Sequence, residues 1–152
     1  MRYPQLLVYE TDGRLAELLR PLTEERGWSL REPRRAESCL RLLRRGSPSV
    51  LILQLSMAWM SELANLKKEE AERKQRDLVT RLSFLERSAW LYPDTAAVVV
   101  GDAEDPRLAG LAWDLGAAFV LFPPLPMERL PEVVAGLMGP AAGRPRQRTN
   151  DA

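Results

Sequence analysis

The sequence predicts an α/β fold built on an open, doubly wound parallel sheet, and three observations carry that prediction. Short apolar runs recur five times, each followed by a segment whose apolar residues repeat at three and four. Two of the runs, Ser49-Val50-Leu51-Ile52-Leu53 and Ala97-Val98-Val99-Val100, are continuously apolar, the first from Val50 on. Strands covered by helices on both faces have that pattern. The chain of 152 residues, 45% of them hydrophobic, suffices for one domain with one proper core and is too short for two domains and a linker.

The elements follow in order. Leu6-Leu7-Val8-Tyr9 reads as the first strand and ends in Glu10-Thr11-Asp12-Gly13, a turn in which Asp12 is placed to cap a helix. Leu15, Leu18, Leu19 and Leu22 give that helix its inner stripe, and Gly27 stops it. Trp28-Ser29-Leu30 starts a weak second strand, closed by Pro33. Ala36, Cys39, Leu40, Leu42 and Leu43 line a short second helix ended by Gly46. The third strand follows Pro48. Residues 57–92 break the rhythm and read as one long helix, solvated in its first half and packed in its second. Between Glu62 and Asp77 there are ten charges in sixteen residues, five of each sign. Glu69/Arg73, Glu70/Lys74 and Glu72/Arg76 are i,i+4 pairs in the favourable order, each worth about 0.2–0.5 kcal/mol. Leu78, Leu82, Leu85 and Ala89 then resume an apolar stripe. After the fourth strand, Asp105-Pro106 is a helix start, with the capping acid before a proline in the first turn. Leu108, Leu111, Ala112 and Leu115 are its expected inner face, and Gly116 its end. Phe119-Val120-Leu121-Phe122 is the fifth strand, closed by Pro123-Pro124. A last helix spans about Met127 to Met138, with Leu130, Val133, Val134 and Leu137 inward. Right-handed crossovers leave few topologies, and the flavodoxin-like order 2-1-3-4-5 is the one expected at this size. One domain is expected over residues 1–139, with 57–92 an extended helical insertion and 140–152 a disordered Pro/Gly/Arg-rich tail.

Composition removes several function classes. There is no histidine, so histidine acid–base chemistry, histidine-relayed nucleophiles and histidine metal ligands are absent. A single cysteine, Cys39, forms no internal disulfide and sits on the inner face of a helix, where it reads as packing. No Gly-rich phosphate loop follows the first strand. No apolar run nears the roughly 20 residues of a membrane span, and the N-terminus lacks a signal-peptide stretch. A cytoplasmic protein that is not an enzyme and carries no cofactor is expected.

The same residues resemble a response-regulator receiver domain of the CheY-like kind, over about residues 5–138 with 57–92 only partly alignable. Leu6 to Gly13 resembles the first strand and its acidic turn. Pro48-Ser49-Val50-Leu51-Ile52-Leu53-Gln54-Leu55 resembles the third strand and phosphoacceptor. Gly116 to Pro124 resembles the glycine-alanine turn, fifth strand and lysine-proline element. The resemblance implies a magnesium ion held by acids at the end of the first strand, a phosphorylated aspartate, and a partner face on the fourth helix, fifth strand and fifth helix. The key positions depart from that pattern. Glu10 and Asp12 persist as vestigial acids, but Thr11 stands between them. The phosphoacceptor position is Gln54, the hydroxyl position Gly101 and the lysine position Pro123. A neutral amide is no nucleophile for phosphoryl transfer. The chain thus resembles a degenerate pseudo-receiver that has lost phosphotransfer, an adaptor or regulatory module working through protein partners, with a homodimer expected.

Each sharper reading has a plainer counterpart. Glu10, Asp12, Asp102, Glu104 and Asp105 could converge on a divalent metal, or simply cap helices; capping is the expectation, and no bound metal is expected. Gln54 could lock a signalling state by bonding the Glu10 carboxylate, or bond backbone. Trp113, out of phase with its helix's inner face, is a candidate interface anchor with Phe122, Leu78, Leu82 and Leu85. Charge is polarised: residues 26–45 hold seven arginines and two glutamates, net +5, and residues 94–132 seven acids and two arginines, net −5. That suits a charge-guided protein contact. A nucleic-acid footprint including Arg144, Arg146 and Arg148 is the weaker reading, because no DNA-reading module remains once five αβ units are assigned. A small-molecule or metal sensor using the pocket at the carboxyl edge of the sheet is the principal alternative function.

Overall fold

In the computed structural model, residues 4–46 and 50–138 are described. The expected tail from residue 140 and its arginines, and Pro48-Ser49 before the third strand, lie outside them. Strand β1 (Gln5–Tyr9) is followed by α1 (Arg14–Arg26), β2 (Ser29–Arg31), α2 (Ala36–Gly46) and β3 (Val50–Leu55). Then come α3 (Lys68–Leu91), β4 (Ala96–Gly101), α4 (Pro106–Asp114), β5 (Phe119–Leu121) and α5 (Leu130–Met138). The strands pair in parallel in the order β2-β1-β3-β4-β5. This is the flavodoxin-like arrangement expected from the sequence.

Alternation along the strands divides the core in two. Leu7, Tyr9, Leu51, Leu53, Leu55, Val99 and Val120 face one side, where Cys39 and Leu43 of α2, Phe84 and Leu85 of α3 and Ala112 of α4 cover them. Leu6, Val8, Val50, Ile52, Val98, Val100 and Leu121 face the other, under Leu15 and Leu19 of α1 and Leu130, Val134 and Met138 of α5. Both faces are covered, so Val50–Leu53 of β3 and Ala97–Val100 of β4 are apolar throughout. Cys39 is fully buried, and burial pushes its thiol up to about 12. It is a core methyl-like group, as its helix position implies.

Several expectations require correction. Residues 57–92 are not one helix. Two short 3-10 turns, kinked at Glu62, span Ala58–Asn65, and extended backbone at Leu66 and Lys67 separates them from α3. Local propensity favours helix throughout, but the first turns are held apart from α3 at their start, where the Asp102 carboxylate accepts the N–H groups of Met57 and Ala58 at 2.6 and 3.0 Å. The buried face of α3 is Arg81, Phe84, Leu85 and Ser88, offset from the predicted leucine stripe. Leu85 is therefore core, and Leu78 and Leu82 pack against the same core. None of the three is an open interface position. Phe122, 6% exposed, is core as well. Leu111 is turned outward and Ala109 takes its place against the core. Trp113 is half exposed as expected, its ring edge-on to Phe119 with centroids 6.2 Å apart. None of the three predicted Glu-to-base pairs on α3 is within 4 Å; the ion pair on this helix is Asp77–Arg81.

Candidate functional site at the carboxyl edge of the sheet

The strands end together on one edge, so the residues just past them meet there. Tyr9, Glu10 and Thr11 leave β1, Gln54 and Ser56 border β3, and Gly101 and Asp102 end β4. Thr11, Gln54, Ser56, Gly101 and Asp102 border a cavity of about 570 Å³, while Tyr9 and Glu10 lie outside its wall. Helix α3 runs back from this edge. Its buried face begins at Arg81, so the turns before it project beyond the sheet at about 1.5 Å per residue. Arg73 and Lys74 are thereby brought to the cavity wall.

Glu10 is almost fully buried, and its two carboxylate oxygens accept the N–H groups of Leu15 and Ala16 at 2.8 and 2.9 Å. It is the acid that satisfies the start of α1. Asp12, predicted as the cap, accepts only the Arg14 N–H at 3.1 Å, and the N-cap position itself is Gly13. Asp105 does cap α4, accepting from the Leu108 N–H at 3.0 Å. Burial pushes the Glu10 carboxyl above its ordinary value, while its two backbone N–H bonds pull it down. Because the folded chain then holds the proton more tightly than the unfolded chain, Glu10 costs stability as pH rises from the ordinary carboxylate value through the raised one. An amide has one acceptor oxygen, and its NH2 would face a backbone donor. Glu10→Gln should therefore lower stability near neutral pH by about 1–2 kcal/mol. Urea unfolding of the two proteins measures this, and equal midpoints would refute the capping role.

The centre of the edge is held by a residue the sequence reading missed. Arg81, 4% exposed, reaches from α3 between the ends of β1 and β3. Its Nη1 donates to the Gln54 carbonyl at 2.8 Å and, more weakly, to the Tyr9 carbonyl at 3.4 Å; its Nη2 donates to Thr11 Oγ1 at 3.2 Å. Its Nε pairs with Asp77 Oδ2 at 3.0 Å, and its Cζ lies 4.4 Å from the centre of the Tyr9 ring. The one available signal was helical spacing: Arg81 shares a face with Phe84, Leu85 and Ser88, three, four and seven residues on.

The Gln54 side chain does not reach Glu10. Its Oε1 accepts the Thr11 N–H at 3.1 Å, and the Thr11 carbonyl accepts from Arg34 Nη1 at 2.8 Å. The lock on Glu10 is not formed, and the plainer reading holds: Gln54 is a polar strand end bonded to backbone, here to the β1 turn. At Gly101, a Cβ would stand 2.8 Å from the Phe122 ring and from Met57 Cε. The ring fills the space a side chain at that position would need. Pro123, just past β5, is joined to Pro124 by a cis peptide bond.

These residues do not fit the magnesium ion that the resemblance implies. The Glu10 oxygens are spent on backbone N–H groups, Gln54 is neutral, and a guanidinium stands between the strand ends. Nor do the five acids converge: among the described residues, no group of three Asp, Glu or Cys side chains is placed to hold a metal. Among them too, no helix is long and apolar enough to cross a membrane.

Solved structures share this architecture. A response regulator from Thermotoga maritima matches with a TM-score of 0.62 and 18% identity, over 89% of this chain and 97% of its own. An orphan response regulator of H. pylori gives 0.63 and 14%, over 90% of this chain and 98% of its own. A CheY-like receiver domain protein from Methanospirillum hungatei gives 0.63 and 12%, over 88% and 92%. No family model matches the sequence, and no curated protein matches it. The likeness is one of fold: this chain folds as a response-regulator receiver domain does.

Proposed function

We propose that this chain is a pseudo-receiver, a receiver-fold signalling module that works by protein contact without being phosphorylated. The observation that carries the reading is Arg81. A guanidinium held by the Gln54 and Tyr9 carbonyls, Thr11 and Asp77 supplies a permanent positive charge between β1 and β3. A divalent cation is repelled from that position, and Gln54 offers no carboxylate to accept a phosphoryl group. The guanidinium ties α3 to both strand ends in one arrangement, so the contact surface is set by the fold.

That surface is the face of α4 and β5, where Trp113 and Leu111 are exposed. Trp is an enriched anchor in interface centres, and a second copy of the chain is the expected partner. The +5 and −5 segments lie towards opposite edges of the sheet, β2–α2 and β4–β5, which suits a charge-guided contact. Beryllofluoride with magnesium, a phosphoryl mimic, should leave the melting temperature and tryptophan fluorescence unchanged, in the native protein and in Gln54→Asp alike. A saturable shift in the native protein would overturn phosphorylation independence. Light scattering over a wide concentration range should give a dimer that Trp113→Ala weakens; a strict monomer would remove the self-association half of the proposal.

A second reading, ligand sensing at the carboxyl edge, is favoured by the 570 Å³ cavity there, within the size range of small-molecule sites.

A further inference from the structure

We infer that the carboxyl-edge cavity binds a nucleoside phosphate, its phosphates on Arg34, Arg73 and Lys74 and its base on Trp59. The inference builds on the sensing reading and goes beyond it in naming the ligand's chemistry. It is independent of the adaptor reading.

The charge balance of the wall points to an anion. Three acids line the cavity, and each is already engaged. Asp77 pairs with Arg81, Asp102 accepts the N–H groups of Met57 and Ala58, and Asp12 accepts the Arg14 N–H with the Arg14 guanidinium 3.8 Å away. Five bases line the same cavity. Among the described residues, Arg73 and Lys74 have no carboxylate within 4 Å, and Arg34 spends a single N–H on the Thr11 carbonyl. The result is a concave site with a net surplus of positive charge and several N–H donors left to give. Guanidinium and ammonium groups together are suited to phosphate oxygens, the first by its planar fork and the second as a point charge.

The second half is the indole. Trp59 lines the cavity and is only partly exposed. Its Nε1 donates to the Ser56 carbonyl at 2.8 Å, which fixes the ring at the end of β3. A flat base stacking on an anchored indole gains contact area at little cost in side-chain entropy. The volume suits a ligand of nucleotide size better than a bare phosphate ion. Such a site differs from a Gly-rich phosphate loop, because its donors are side chains carried by α3 and the β2–α2 connection. The projecting start of α3 thereby acquires a purpose: it carries Arg73 and Lys74 over the sheet edge.

The test uses the full chain with ADP, GDP, adenosine and inorganic pyrophosphate at low and moderate salt. ADP or GDP should raise the melting temperature saturably and quench tryptophan fluorescence, with pyrophosphate weaker and adenosine weaker still. Arg73→Ala with Lys74→Ala lies on the projecting part of α3 and should fold normally. It should lose affinity by at least about tenfold, the scale of one charge-assisted hydrogen bond. Trp59→Leu should abolish the quenching and reduce ADP binding towards that of pyrophosphate. No saturable response to ADP or GDP at low salt, or equal binding by the Arg73/Lys74 double variant, would overturn the inference. Equal binding of pyrophosphate and ADP by the native protein would overturn the nucleoside assignment. The beryllofluoride experiment contains no nucleotide, so the adaptor reading and this one fail separately.

Discussion

Replacing Arg81 by methionine is expected to destabilise the protein by about 2–4 kcal/mol, an estimate built from the groups it would orphan. The Gln54 carbonyl loses its 2.8 Å donor, Thr11 Oγ1 its 3.2 Å donor, and the Tyr9 ring its cation. A buried acceptor left unpaired costs about 1–3 kcal/mol, and the part-buried Gln54 carbonyl and Thr11 hydroxyl fall at the lower end of that range. The Asp77 side chain is about half exposed, so water recovers most of what that ion pair supplied. At about 2–4 °C per kcal/mol for a chain of this size, the melting temperature should fall by roughly 5–15 °C. Arg81→Lys should recover little of this, because one ammonium cannot span the Gln54 carbonyl, Thr11 and Asp77 as the planar fork does. Thermal and urea unfolding of the three proteins measures the series. Near-native stability in Arg81→Met would show that the guanidinium is not what joins α3 to the strand ends. The same pair of variants bears on the site chemistry. Gln54→Asp should gain no magnesium affinity while Arg81 is present. Gln54→Asp combined with Arg81→Met should gain it, since the combination removes the repelling charge and adds a carboxylate.

Gly116→Ala should cost about 2–4 kcal/mol from two separable sources, left-handed strain and a steric clash. Gly116 has φ 115°, a conformation that side chains with a Cβ rarely adopt. Its added Cβ would also fall 2.5 Å from the Ala89 Cβ of α3, where no flexible side-chain end can move aside. Gly116 lies between α4 and β5 and carries the chain into β5 beneath α3. Ala89→Gly removes the clash and leaves the strain, so the double variant should be less destabilised than the sum of the single ones. Urea unfolding of the four proteins in this cycle gives the coupling directly. Strict additivity would show that α3 yields at Ala89, and that only the backbone conformation is costly.

The sequence by itself determined the α/β class, the strand order and the positions of nearly every strand. These depend on local periodicity, and the runs Val50–Leu53 and Ala97–Val100 are apolar throughout because both faces are covered. It also placed Gln54, Gly101 and Pro123 at or just past the carboxyl ends of β3, β4 and β5. Only the tertiary structure decided what each of them meets there. Helical periodicity locates a buried face to within one residue's rotation, about 100°, and an error of that size on α3 concealed Arg81 behind Leu78 and Leu82. The break at Leu66–Lys67 was equally hidden, because nothing in the local sequence marks it, and the turns before it are held at their start by Asp102, more than forty residues on along the chain. Glu10 displaced Asp12 as the acid that satisfies α1 for a related reason: which of two nearby carboxylates reaches Leu15 and Ala16 depends on how the β1 turn leaves the sheet. The cavity is the clearest case. Arg34, Trp59, Arg73 and Lys74 share no motif and come from separate elements. They meet because parallel strands end on one edge and α3 is long enough to overhang it.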